Sequence, residues 1–245
     1  MKDINMINDA FAYGGFTSGS EGLWTRNEAD DPPTSDYTTL SRRLGIPLSS
    51  FIRPYQAGGD RVETVTALHG GSGVIKDNEL RRIDGVVTAE KGIVLSIIAA
   101  DCVPVYLTDA AAGVIGMLHC GWRSVAGKAL CNALERMKEL GASPKDIHIA
   151  VGPHICLGCY EVGEEVLAEY EKSFPSVELG AIFTKQDGRL HLDLGQALRS
   201  VAIAEGIPDN SIVCTDICTC HDSTLFSYRR GDRSRQNLAY IMMKQ

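Results

Sequence analysis

Two apolar runs joined by a short loop ending in glycine constrain this chain more than any other stretch. The runs are Asp101-Cys102-Val103-Pro104-Val105-Tyr106-Leu107-Thr108 and Val114-Ile115-Gly116-Met117-Leu118-His119-Cys120, with Asp109 to Gly113 between them. Rich in Val, Ile, Leu and Tyr and separated by five residues, they read as the arms of a hairpin. Folding about Ala111 sets Cys102 opposite residues 119 and 120, where side chains on one face lie about 5 Å apart. A thiol thus stands beside the imidazole of His119. Such a pair can hold a metal or activate a nucleophile.

The rest of the chain alternates between helical and strand patterns. Residues 125–140 carry Ala126, Leu130, Ala133, Leu134, Met137 and Leu140 at helical spacing, with Gly141 as a stop and Pro144 beyond. Strands are expected at 147–151, 190–192, 211–215 and 238–243, and helices at 163–174 and 194–205. No repeat or long linker divides the 245 residues; the acidic, proline-rich loop Asp30-Asp31-Pro32-Pro33-Thr34-Ser35 lies near the start. These patterns predict a single layered α/β (α+β) domain over 1–245, with a mixed β-sheet and packed helices.

No apolar run approaches the roughly 18 residues that cross a bilayer, and the first ten residues lack the pattern of a secretion signal. A cytoplasmic protein with no membrane partner is expected, its eight cysteines reduced rather than paired. The net charge of −7 argues against a nucleic-acid surface, which needs a basic excess to neutralise phosphates. Small-molecule chemistry is favoured.

Cys102 and His119 support two chemistries. Thiolate and neutral imidazole suit zinc, which in a catalytic site takes a third protein ligand and leaves one position open for water. Alternatively, His119 lowers the thiol's pKa and the thiolate attacks a carbonyl, as in a Cys–His hydrolase. Positive charge gathers at Arg229, Arg230, Arg233 and Arg235, a candidate anion site because the guanidinium fork matches phosphate oxygens; Arg123, four residues after His119, is placed to join it. The run His69-Gly70-Gly71-Ser72-Gly73 lacks the lysine of a phosphate-binding loop and reads as a flexible loop. Cys156-x-x-Cys159 and Cys218-x-Cys220-His221 raise the question of a second metal site, against which the Cys-x-Cys spacing counts.

Six motifs, in order and spacing, resemble the YfiH-like, or laccase-domain, proteins: Asp84-Gly-Val-Val-Thr88, Ala100-Asp-Cys-Val-Pro-Val105, His119-Cys-Gly-Trp-Arg123, Gly152-Pro-His-Ile155, Cys159-Tyr-Glu-Val-Gly163 and Phe226-Ser-Tyr-Arg-Arg230. The resemblance runs from about Gln56 to the end. It implies a zinc-dependent purine nucleoside phosphorylase that also deaminates adenosine and cleaves methylthioadenosine, with purine nucleosides and phosphate as its small-molecule partners. It implies zinc held by His, Cys and His. Copper belongs to an older reading of the family as polyphenol oxidases, and the six histidines here are few for a multicopper enzyme.

Cys102 and His119 match the second and third ligands. The first does not match: where the family pattern reads Gln-x-His-Gly, this chain reads Gln56-Ala57-Gly58-Gly59. His69 is the expected stand-in. If the site works as in the family, Arg123, Arg229, Arg230 or Arg235 orient phosphate, and Asp101 and Glu161 shuttle a proton or orient a ligand. The alternatives to the phosphorylase are a Cys–His hydrolase, a nucleoside-binding member without catalysis, which Gly58 favours, and a laccase-like polyphenol oxidase.

Overall fold

Side chains alternate across a strand, so a strand buried on both faces must lie between two layers. Four strands of six or seven residues are buried at every position: Val94–Ala99, Val103–Asp109, Val114–Cys120 and Asn237–Met243. The computed structural model, which describes residues 4–17 and 34–244, shows which layers cover them. In chain order the elements are β1 (Ile4–Asn8), β2 (Ala12–Phe16), α1 (Thr34–Leu44), β3 (Phe51–Ile52), β4 (Val62–Thr64), β5 (Gly85–Thr88), β6 (Val94–Ala99), β7 (Val103–Asp109) and β8 (Val114–Cys120). There follow α2 (Trp122–Ala126), α3 (Ala129–Glu139), β9 (His148–Val151), β10 (Glu161–Val162), α4 (Glu164–Ser173), β11 (Phe183–Gln186), β12 (Arg189–Leu192), α5 (Leu194–Ala204), β13 (Ile212–Cys214) and β14 (Asn237–Met243).

One sheet has the order β1-β2-β14-β6-β3 and a second the order β13-β9-β7-β8-β5-β4. Both are mixed: the pairs β3/β6, β13/β9 and β4/β5 are parallel, and the others antiparallel. A small antiparallel sheet, β10-β12-β11, is separate from them. The two large sheets share a core. Leu95 and Ile97 of β6 meet Ile115 and Met117 of β8 there, and the buried Tyr106 hydroxyl donates to Gly15 O in the facing sheet at 2.9 Å.

Alternate residues serve the outer layers. Val94 and Ile98 of β6 pack with Tyr37 and Leu40 of α1, while Val105, Leu107 and Leu118 pack with Ala133, Leu134 and Met137 of α3 and Leu198 of α5. The layers therefore run helix, sheet, sheet, helices, the α/β architecture with mixed sheets that the sequence predicts.

Two expectations change in detail. The helix expected over 125–140 is two helices, because Lys128 takes a left-handed backbone (φ 69°) and breaks the ladder. The glycine-rich stretch is not a free loop: Thr66 and His69 form a capping box on a 3-10 turn, and the peptides of 71–76 bond among themselves. The acidic, proline-rich loop lies outside the described residues except for Thr34 and Ser35, which open α1.

Candidate active site

The chain crosses from one large sheet to the other between the end of β6 at Ala99 and the start of β7 at Val103. Cys102 sits in this crossover. Asp101 makes it possible by taking φ 88°, a conformation in which non-glycine residues are uncommon. The hairpin that follows is the predicted one with its register moved by a residue: Val103 pairs with Cys120 and Pro104 with His119, which leaves Cys102 beside Gly121. A Cβ on Gly121 would lie 3.0 Å from Cys102 Sγ, so glycine there leaves room for the thiol.

His119 is buried and doubly tied to Asp84. Its main-chain N–H donates to Asp84 O at 2.7 Å, and its Nδ1 lies 2.9 Å from Asp84 Oδ1. Asp84 itself has no exposed surface. It is satisfied by three successive peptide N–H groups, from Gly58 to Oδ1 (2.8 Å) and from Ala57 (3.0 Å) and Gly59 (2.8 Å) to Oδ2. Burial pushes the Asp84 pKa up, but the hydrogen bond and charge of His119 and the peptide donors outweigh it, and the carboxyl titrates below its ordinary range. For His119, burial pulls down, while the negative charge of a Cys102 thiolate, the bond to Asp84 and a hydrogen bond with Cys102 raise it to about 10. With Nδ1 held by Asp84, Nε2 is the ring nitrogen left to work. Asp84 opens the Asp84-Gly-Val-Val-Thr88 motif, and its role is not evident from residue type; the sequence signal is an acid at the mouth of an apolar strand.

Gly58 occupies the position of the missing ligand. Its N–H shares Asp84 Oδ1 with His119, it takes φ 73°, and a Cβ there would meet nothing within 4 Å. His69 does not come in to replace it. Its Nδ1 accepts from the Thr66 N–H at 3.1 Å, which fixes the ring in the capping box, and Cys102, His119 and His69 do not gather as a ligand set among the described residues. Two donors with an open glycine do not complete a three-ligand zinc site.

The other predicted residues divide by what already occupies them. Asp101 Oδ1 accepts from Thr219 Oγ1 and Oδ2 from the Arg229 N–H, both at 2.7 Å, so this acid fastens loops instead of facing a substrate. Glu161 is exposed and ion-paired with Arg189 at 3.0 Å. The Arg230 guanidinium donates to Thr219 O, Cys220 O, Asp222 O and Leu225 O and pairs with Asp232. It shapes its own loop and is not a free phosphate receptor. Arg229 donates to Cys159 O and Glu161 O at 2.8 and 3.0 Å and lies over the Tyr160 ring, 5.5 Å from its centroid. Arg123 is exposed, stacked 4.2 Å from the Trp122 ring centroid; Arg235 is exposed beside Phe226. Burial raises the Tyr160 phenol, the charge of Cys102 raises it further, and Arg229 and Arg123 oppose this.

The fold also brings together the second cysteine group, against which the Cys-x-Cys spacing counted. Cys156, Cys159, Cys218 and His221 lie with their donor atoms within 4.8 Å of one another.

Among curated proteins, the chain is 36% identical over 220 residues to a purine nucleoside phosphorylase from Deinococcus radiodurans, covering 89% of this chain and 80% of that one. It is 34% identical over 194 residues to adenosine deaminase RL5 from an unknown prokaryote, covering 78% and 74%. Among solved structures, YlmD from Geobacillus stearothermophilus superposes with a TM-score of 0.84 at 26% identity over the whole of both chains. YfiH from Bacillus licheniformis gives 0.85 at 26% identity over 95% of this chain and 93% of that one. The model of the family described as multi-copper polyphenol oxidoreductase laccase matches residues 24–244, and the chain belongs to that family.

Proposed function

We propose that residues 1–245 act as one domain that cleaves purine nucleosides by phosphorolysis at Cys102, His119 and Asp84. The observation that carries this reading is the chain from buried Asp84 to buried His119 to partly buried Cys102, set beside exposed Arg123 and Arg229 in a family whose relatives include a purine nucleoside phosphorylase and an adenosine deaminase. A phosphate oxygen forms the new bond to the anomeric carbon as the glycosidic C–N bond breaks. The bonding pair leaves with the purine, which takes up a proton from His119 Nε2. Asp84 holds the ring in place and balances the imidazolium. Arg123 and Arg229 orient the phosphate through guanidinium N–H groups. The products are free base and pentose 1-phosphate.

Among the described residues, the zinc that the family resemblance implies finds two donors and no third at this centre, so no step is routed through a metal. Adenosine deamination needs an activated water, for which these residues supply fewer groups than for protonating a leaving base. Laccase-type oxidation would need histidine clusters that six histidines do not readily furnish.

Inosine, adenosine and methylthioadenosine incubated with the purified protein, with and without phosphate, test the reading. Phosphate-dependent release of base is expected, and a Cys102→Ala preparation made identically should lack it. Nucleoside binding without turnover would favour a non-catalytic member. Phosphate-independent inosine formation from adenosine would favour the deaminase.

A further inference from the structure

We propose that Cys156, Cys159, Cys218 and His221 form a structural metal site for zinc, separate from the Cys102–His119 centre. The spacing supports it once the pairs are drawn correctly. Cys156-x-x-Cys159 and Cys218-x-x-His221 each place two donors two residues apart, the arrangement of a zinc knuckle, with Cys220 a bystander between the second pair.

The fold brings the pairs together beyond the carboxyl ends of the adjacent parallel strands β9 and β13. A further bridge, His154 to Cys218, continues that pairing past the strands, with Thr219 N–H donating to His154 O at 3.0 Å. Both arms are therefore held before any ion arrives.

The distances suit the ion. A tetrahedron with Zn–S near 2.3 Å and Zn–N near 2.0 Å has edges of about 3.5 Å between sulfur and nitrogen and about 3.8 Å between sulfurs. His221 Nδ1 lies 3.8 Å from Cys156 Sγ, and its Nε2 lies 3.2 Å from Cys159 Sγ; both ring nitrogens face the thiols, and one of them coordinates. With all donors within 4.8 Å, roughly 1 Å of contraction closes the longest edge. Cys218 Sγ also accepts the Cys156 N–H at 3.3 Å, a bond that steadies a coordinated thiolate. Three sulfurs and one imidazole are a donor set for zinc, and four protein ligands leave no position open for substrate, so the role is structural.

The site locks the loops on which the arginines rest. Arg229 is anchored on Cys159 O and Arg230 on Thr219 O and Cys220 O, and Thr219 and the Arg229 N–H both bind the carboxylate of Asp101, the neighbour of Cys102.

Metal content of protein purified under reducing conditions tests the proposal. The unaltered chain and Cys102→Ala should both hold one zinc per chain, and Cys156→Ser and Cys218→Ser should lose it. Zinc retained in both serine variants, or lost in Cys102→Ala, overturns the site. Because serine variants can fail to fold, cobalt loading of the unaltered chain supplies a second readout: intense tetrahedral visible bands with a thiolate charge-transfer band, unchanged in Cys102→Ala, are expected. Cobalt that gives no thiolate band, or a disulfide among these cysteines in place of bound metal, overturns it as well.

Discussion

At the residue scale the centre depends on Asp84, which satisfies three peptide N–H groups and the His119 ring with one carboxylate. Asp84→Asn substitutes a neutral amide whose NH2 cannot accept, leaving buried donors unmet. Urea denaturation should show a loss of roughly 3 kcal/mol, with turnover falling further through misplacement of His119. The pH dependence has a definite sign. A carboxyl whose folded pKa lies below its ordinary 3.8 adds stability that is present above that value and lost as pH falls through the folded one. The acid limb of the stability curve should therefore be shallower in Asp84→Asn, and an unchanged limb would deny Asp84 this role. Gly58 gives the complementary test. Its Cβ direction is empty, so Gly58→His should fit at a backbone cost of about 1 kcal/mol for φ 73°. It should add one equivalent of bound zinc that disappears again in Gly58→His/Cys102→Ala, as counted by metal analysis.

At the element scale, the β7–β8 hairpin delivers both reactive side chains. Gly121→Ala would push a methyl to within 3.0 Å of Cys102 Sγ; we expect turnover to fall at least tenfold while stability changes by about 1 kcal/mol, read by initial rates and thermal melts. Turnover near that of the unaltered chain would mean that the thiol's place is not held by this turn. Hairpin and site were legible because apolar runs and a short loop set the pairing. The one-residue register difference was not, since the turn at Asp109, whose Oδ1 accepts the Ala112 N–H, depends on side-chain capping. The break at Lys128 escaped notice for a related reason: the apolar spacing of 126–140 continues across it, and periodicity does not report a single left-handed residue. The meeting of Cys156, Cys159, Cys218 and His221 was not legible, because the Cys218-x-Cys220 spacing hides the Cys218-x-x-His221 pair and only the β9–β13 pairing brings the two segments together.

On the scale of the whole molecule, two sheets share a core, and the crossover between them carries Cys102. The sheets are tied by Tyr106, whose hydroxyl reaches Gly15 O. Tyr106→Phe removes this hydrogen bond between the sheets and should lower stability by about 1 kcal/mol without moving the hairpin, so activity at 25 °C should persist; parallel losses of both would mean the sheets position the site more tightly than described. The layered α/β class was legible from the alternation of helical and strand patterns, whereas the roles of Asp101 and Arg230 were not, because residue type does not reveal that their polar atoms are already satisfied by neighbouring loops. The account as a whole turns on whether this crossover performs phosphorolysis, and phosphorus NMR of inosine with phosphate reads that directly. A pentose 1-phosphate resonance should grow with the unaltered chain, matched by hypoxanthine, and should be absent with Cys102→Ala. No pentose phosphate, or equal amounts from both proteins, would contradict it.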